Sequence, residues 1–513
     1  MKRFFSLLLC IVMSSGMLVG CGGNTTNGEE KADSIIMPVA STVTTMNRLL
    51  EGMKEGYLML APFSDELFYK SAEETRYYLA ESCEVSEDGL TYTVKLRDNL
   101  KWHDGEAITS DDLVFTMEVI ADTDNGTDFT GAAFINDKAV DVKKVDELTV
   151  EFKVPEVSAS YETKLGAVTI IPEHMFEGNT DIKSADANLM DIGSGPYKLK
   201  EFKDGESLVL EKFEDYYGGE PSISTVAFKV VSDSSAQEVA MQNGEINLME
   251  LADANAVEKY SKEENYQVHE FPEGRVNYMA WNKYSDTWKN KEALDAVFAA
   301  IDAQEIIDGA YGGTMAKKAN SILSNVNMFY DESIEPYEQD LDKAKKLAES
   351  SGLTSKTLKL YYNADRAYMK ETALIIQQQL KSAGINLEVE GIESNGFFEI
   401  VFGDKSDYDL YLNGYGAAMD PDEVIAGMFD GTWGINVDTS DEILDLFKKG
   451  RSITDEVERE SIYKEIQQKA SEEKTIYPIA YPNYNFVSLK SLDGADLFKH
   501  TPIFEDYSKL SYK

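Results

Sequence analysis

At 513 residues the chain exceeds what one hydrophobic core fills, so two or three domains are expected. Its 43% hydrophobic and 27% charged content is ordinary for a globular protein, while 92 acidic against 49 basic residues give a formal charge of −43. No basic cluster is present to neutralise phosphates, so nucleic-acid binding is disfavoured and the acidic excess reads as a solvated surface.

The N-terminus reads as an export signal. Lys2-Arg3 precede an apolar run at residues 4–13, too short to span a bilayer and right for a secretory segment. Leu18-Val19-Gly20-Cys21 follows and resembles the bacterial lipobox, in which cleavage precedes a cysteine that carries a diacylglycerol. Residues 22–28 then read as a flexible tether. Cys10 leaves with the signal and Cys21 would be lipidated, so Cys83 remains alone and no intramolecular disulfide is expected. Without a histidine nearby, Cys83 reads as a structural thiol.

Along the chain, a helical region is expected up to about Phe68. Tyr92, Val94 and Leu96 alternate as a half-buried strand after the turn Glu87-Asp88-Gly89. Thr109 followed by Asp112 resembles a capping box, ahead of Leu113, Met117 and Ile120 at helical spacing. Trp102-His103-Asp104 invites a catalytic reading, but adjacent residues on a turn point apart, so a structural turn is expected. Residues 122–128 lack the spacing of a calcium loop and read as an acidic surface loop. Leu148, Val150, Phe152 and Val154 alternate as a further strand. Ile192-Gly193-Ser194-Gly195-Pro196-Tyr197 follows, where the glycines permit positive φ and the proline fixes the exit. Residues 293–310 are amphipathic. Leu358, Leu360 and Tyr362, then Met369, Ala373, Ile376 and Leu380, then residues 385–389 behind the cap Gly384 predict a βαβ unit. It leads into residues 409–422, where a short strand is expected to open into a glycine-rich loop carrying Gly414, Tyr415, Gly416 and the acidic turn Asp420-Pro421-Asp422.

Tyr92, Leu96, Trp102, His103, Asp104, Gly105 and Asp112 fall on a recurrent run of the extracellular solute-binding proteins of the peptide and nickel class, family 5, which serve ABC importers. The segments 192–199, 214–221, 241–248, 276–282, 300–302 and 477–484 are similar to further motifs of that family, in the same order. The resemblance covers nearly the whole mature chain. It implies an α/β, periplasmic-binding-protein-like two-lobed fold (type II, cluster C-like) with an extra inserted domain. The implied division is a signal peptide at 1–20 and a lipidated tether at 21–33. A discontinuous domain I follows at 34–68, 192–270 and 482–513, with domain II at 69–191 and domain III at 271–481. Ligand is expected between the lobes, enclosed by hinge closure.

Peptide-binding relatives carry an aspartate that pairs with the ligand's α-ammonium, and its aligned position here is Ala418; Asp420 matches a later turn of the same loop. Asp420 is thus expected either to take over that anchor or to cap its turn. Gly414, Tyr415, Trp433, Trp281 and Asn282 complete the candidate ligand-binding set, with core packing the competing reading for Trp281. The four histidines, His103, His174, His269 and His500, have no ligand spacing, so no metal site, cofactor or catalytic residue is expected. The implied protein is a monomeric lipoprotein held to the outer face of the cell membrane through Cys21, delivering oligopeptides or dipeptides to permease subunits. A receptor for nickel chelate, haem, opine or oligosaccharide is the alternative within the family. An exported carboxylate-dependent hydrolase is the alternative outside it.

Overall fold

Strand Ser34–Val39 starts the first of the three sheets of four or more strands among the described residues, burying Ile35, Met37 and Val39 on one face. The computed structural model describes residues 33–52, 54–71, 74–183, 185–189, 191–403, 407–416, 419–430, 437–495 and 506–513, and Cys21, Ala418, Trp433 and His500 lie outside them. Ser34–Val39 pairs in parallel with Thr225–Val230, and Ser207–Lys212 and Tyr197–Lys203 extend the sheet antiparallel. Leu208, Leu210, Val226 and Phe228 meet its buried face, and Tyr507, from the far end of the chain, joins the same core.

Between the two parallel partners the chain builds a second sheet. Ala80–Val85, Thr91–Leu96, Thr149–Lys153 and Asp141–Lys144 lie in that order, all antiparallel. Period-two alternation puts Tyr92, Val94 and Leu96 into a core with Val150 and Phe152, as their spacing predicts. Helix Ser110–Ala121 covers it. The Thr109 hydroxyl accepts from the Asp111 amide and Asp112 accepts from the Thr109 amide (2.9 Å), the expected capping box. Cys83 is partly buried, and burial pushes its thiol up to about 12, which keeps it protonated and unreactive.

The two sheets meet at residues 192–197. Neither glycine there adopts positive φ, contrary to the sequence reading. Each is required by close approach: a Cβ on Gly193 would stand 2.2 Å from the Phe63 carbonyl oxygen, and one on Gly195 2.6 Å from the Phe63 carbonyl carbon. His103 clasps the same turn, accepting from the Gly193 amide through Nδ1 (3.0 Å) and donating to the Gly195 carbonyl through Nε2 (2.9 Å). The Trp102-His103-Asp104 turn is therefore structural.

The third sheet is organised on Tyr477–Leu489, a strand of 13 residues. One end pairs with Arg275–Trp281 and the other with Tyr266–Pro272, while Leu248–Glu250 and Ala316–Lys318 also bond to it. Beyond Arg275–Trp281 lie Leu410–Gly416, Thr357–Asn363 and Asn386–Ile392. The last two are parallel and joined by helix Ala367–Ser382, with Gly384 at φ 81°, so the βαβ unit forms as expected. Arg275–Trp281 is buried on both faces: Met279 and Trp281 enter one core, Val276, Tyr278 and Ala280 the other. The amphipathic stretch 293–310 is two helices rather than one. Lys291–Ala300 ends at Ile301, and Asp302 caps Ala303–Ala310 by accepting from the amides of Gln304 and Glu305.

Candidate functional site

Two chain segments run side by side from the part of the third sheet bearing Leu248–Glu250 to the part bearing Leu410–Gly416. Tyr266–Pro272 and Arg275–Trp281 are successive strands broken at Glu273-Gly274, where Gly274 takes φ 66°, open to glycine at little cost. Tyr477–Leu489 runs antiparallel to both, and the Glu273 amide bonds the Pro482 carbonyl (2.9 Å) across the break. Clefts open beside this crossing.

One cleft, of about 570 Å³, lies between residues 250–258 and 310–315. Glu250, Glu273, Tyr311, Tyr368, Tyr484 and Met315 give it its chemistry. Tyr311 is fixed by a bond from Asn277 Nδ2 (2.9 Å), and its ring centroid lies 5.4 Å from that of Tyr368. Lys54 Nζ is 2.7 Å from Glu250 and 4.2 Å above the Tyr484 ring centroid. Arg275 donates to the Gly414 carbonyl (2.7 Å) and to Asn277 Oδ1 (3.2 Å), and Arg366 to the Tyr368 hydroxyl (3.3 Å). Burial holds the Glu273 carboxyl above the usual range, although Arg275, Lys54 and Arg366 pull it down; Glu250 adds to the rise.

A second cleft, of about 830 Å³, is lined from one side by Tyr69 and Arg76, at the crossing by Phe271 and Pro272, and from the other side by Met328 and Met419. The thioethers of Met328 and Met419 make that side of the wall adaptable. Next to it the chain closes on itself. Lys70 Nζ reaches Glu162 at 2.7 Å and, across the gap, Glu456 at 3.1 Å, and the Ala159 amide bonds the Arg451 carbonyl at 3.0 Å.

The residues singled out by sequence occupy different places. Gly414 and Tyr415 are not in a loop, because the strand continues through Leu410–Gly416 and pairs with Arg275–Trp281. Gly414 is needed there: a Cβ would stand 2.1 Å from Asn277 Oδ1 and 2.8 Å from Arg275 Nε. Tyr415 is buried, its hydroxyl donating to the Ile322 carbonyl and its ring centroid 5.4 Å from that of Tyr278. Trp281 is a core residue whose Nε1 donates to the Lys474 carbonyl (3.0 Å), and the fully buried Asn282 bonds the Tyr408 carbonyl and the Tyr284 amide. Asp420 is 1% exposed. It caps helix Pro421–Phe429 through the Asp422 amide (2.9 Å), and both its oxygens meet the Arg459 guanidinium. Its charge is thus matched within the protein, although it borders a small cleft of about 210 Å³ with Tyr92 and Lys70.

Glu250, Glu273, Tyr311 and Tyr368 were not anticipated. The available signal was Phe271-Pro272-Glu273-Gly274-Arg275, a Pro/Gly break with two charges between two apolar strands.

The model of the bacterial extracellular solute-binding proteins, family 5, matches residues 74–436, and the chain belongs to that family. It is 28% identical over 452 residues to the oligopeptide-binding protein AppA of Bacillus subtilis, covering 83% of this chain and 81% of that protein. The ABC transporter substrate-binding protein CtaP of Listeria monocytogenes superposes with a TM-score of 0.87 at 35% identity, over 94% of this chain and all of that one. The Bacillus subtilis AppA structure, in complex with a nonapeptide, superposes with a TM-score of 0.73 at 24% identity, over 94% and 99% of the two chains. The protein is accordingly a non-catalytic ABC transporter substrate-binding protein with the two-lobed α/β fold of its family. Among the described residues no helix is long and apolar enough to cross a membrane, and no group of three or more His, Cys, Asp or Glu side chains could hold a metal ion.

Proposed function

We propose that this protein captures oligopeptides in the clefts beside its strand crossing, encloses them by hinge closure, and delivers them to an ABC permease while tethered through lipidated Cys21. The observation that supports it best is the crossing itself. Two adjacent chain segments, one broken at Gly274 and the other the continuous strand Tyr477–Leu489, join two bodies whose facing walls carry charged, aromatic and thioether groups. Such walls suit a ligand with a constant polar backbone and variable side chains. The division into domain I (34–68, 192–270, 482–513), domain II (69–191) and domain III (271–481) supplies the moving parts. Native mass spectrometry of protein purified from its host tests the reading: a series of co-purified peptides is expected, and a defined sugar or metal chelate sinks it. Replacement of Cys21 by serine is expected to release the protein from the cell envelope.

Closure has its own test. Lys70–Glu456 bridges the gap, and Glu456 is largely exposed, so the pair stabilises the closed form by about 0.2–1 kcal/mol. Glu456→Gln is expected to speed peptide dissociation about 1.5- to 5-fold at low ionic strength in stopped-flow traces, with the difference shrinking in salt.

A further inference from the structure

Glu273 stands apart from the other charges of the cleft. Its side chain is half-buried at the kink of the crossing, yet it makes no ion pair and no side-chain hydrogen bond among the described residues. Lys54 is taken by Glu250, and Arg275 and Arg366 direct bonds to a carbonyl, an amide oxygen and a hydroxyl. A carboxylate withdrawn from water without a partner is costly, and a cationic ligand group would offset that cost.

The wall around it already holds one ammonium in the same way. Lys54 lies between a carboxylate, Glu250 at 2.7 Å, and a tyrosine face, Tyr484 with its ring centroid at 4.2 Å. Beside Glu273 the cleft offers Tyr484 again, with Tyr311 and Tyr368, and tyrosine faces attract cations. Of the four carboxylates that line the cleft, Glu250 is paired with Lys54, Glu258 with Lys262, and Asp253 caps helix Ala254–Ser261, which leaves Glu273 as the one whose charge a ligand can match.

We infer that the bound ligand presents an ammonium group to Glu273, seated among Tyr311, Tyr368 and Tyr484. The inference rests on the peptide reading above, and in a peptide the ammonium comes from the N-terminus or from a lysine side chain.

The test is calorimetry of the full chain and of Glu273→Gln with four versions of one co-purifying sequence. These are lysine-free with a free N-terminus, lysine-free and N-acetylated, N-acetylated with one lysine, and bearing both groups. Glu273→Gln is expected to bind at least one ammonium-bearing version about 10- to 100-fold more weakly and the fully blocked version unchanged. Glu273→Asp, which keeps the charge, is expected to retain more affinity than Glu273→Gln for the same version. Which version is sensitive names the source of the ammonium. Equal losses for blocked and unblocked peptides, or no loss, overturn the inference while leaving peptide capture standing. If no peptide binds the unaltered protein, the peptide reading falls first. The co-purified ligand then decides: one without an ammonium overturns the Glu273 assignment, and one whose affinity falls in Glu273→Gln upholds it.

Discussion

Arg459→Leu is expected to destabilise the fold by about 3–5 kcal/mol, read as a lower midpoint of urea unfolding at unchanged slope. Arg459 is 3% exposed and Asp420 1%. The guanidinium meets both Asp420 oxygens, donates from Nε to the Gly450 carbonyl (3.0 Å), and lies near the rings of Phe329 and Tyr463, at 5.3 and 5.2 Å. Leucine keeps part of the packing and removes the charge, leaving Asp420 buried with only the Asp422 amide to bond among the described residues. If the stranded charge is what costs, Arg459→Leu combined with Asp420→Asn recovers part of the loss, because asparagine still caps the helix. A single variant with an unchanged midpoint shows that the pair contributes nothing net. The same series locates ligand recognition. Asp420→Asn is expected to bind peptide with the affinity of the unaltered protein once the folded fraction is counted, since its carboxylate is already matched.

Neighbouring groups extend that arrangement. Asp422 and Asp430 both bond Arg451, at 2.8 and 2.9 Å, so two arginines from the following helices neutralise the acidic start of helix Pro421–Phe429. Glu423 beside them is pushed up to about 8, first by burial and then by Asp420, which leaves it protonated at neutral pH. The turn that sequence marked as a ligand site is thus balanced from within the protein.

What the sequence made legible was local. Tyr92, Val94 and Leu96 declared their strand because one face is buried and one wet, and Thr109 and Asp112 declared a cap because both partners lie within one turn of helix. The βαβ unit from Thr357 to Ile392 carried both signals. Gly414 misled because glycine in a strand looks like a loop, while its cause, Arg275 and Asn277 pressing from the partner strand, lies more than a hundred residues earlier. Arg459 is 39 positions from Asp420 on another helix, and no local pattern links them. Glu273 acquires meaning only when Tyr311, Tyr368 and Tyr484 are brought beside it. Order of motifs therefore identified the family and the fold, whereas the candidate site depends on contacts that no spacing encodes.

His103 predicts an acid sensitivity at the join of the first two sheets. Its ring lies edge-on to Phe63 and Phe213, at 5.2 and 5.1 Å between centroids, and burial is the main cause lowering its pKa to about 4; Lys198 lowers it further, while the Gly195 carbonyl, Asp104 and Asp191 oppose. Nδ1 accepts the Gly193 amide, so the proton that would charge the ring must enter where an N–H already points. The unfolded chain has an ordinary histidine near 6.5. Between about 6.5 and 4 the unfolded state therefore binds more protons than the folded one. The contribution of His103 is complete above pH 6.5 and falls as pH drops through this window, by at most about 3 kcal/mol because the ring keeps some exposure. Asp65 opposes it. Buried and accepting from the Tyr216 and Tyr217 hydroxyls (2.8 and 2.7 Å), it is raised to about 7, burial outweighing those bonds, so the folded state takes up its proton earlier and gains stability as pH falls. A single pH–stability curve mixes the two slopes, and the difference between the unaltered protein and His103→Gln isolates one. At pH 7 the glutamine variant is expected to be the less stable, since it can reproduce only part of the two-sided bond. Towards pH 4 that gap is expected to close by up to about 3 kcal/mol and can reverse, because glutamine has no proton to gain. A gap constant from pH 7 to 4 would assign His103 to packing alone; a gap that closes marks the Gly193–Gly195 turn as the first point where acid loosens the join between the sheets.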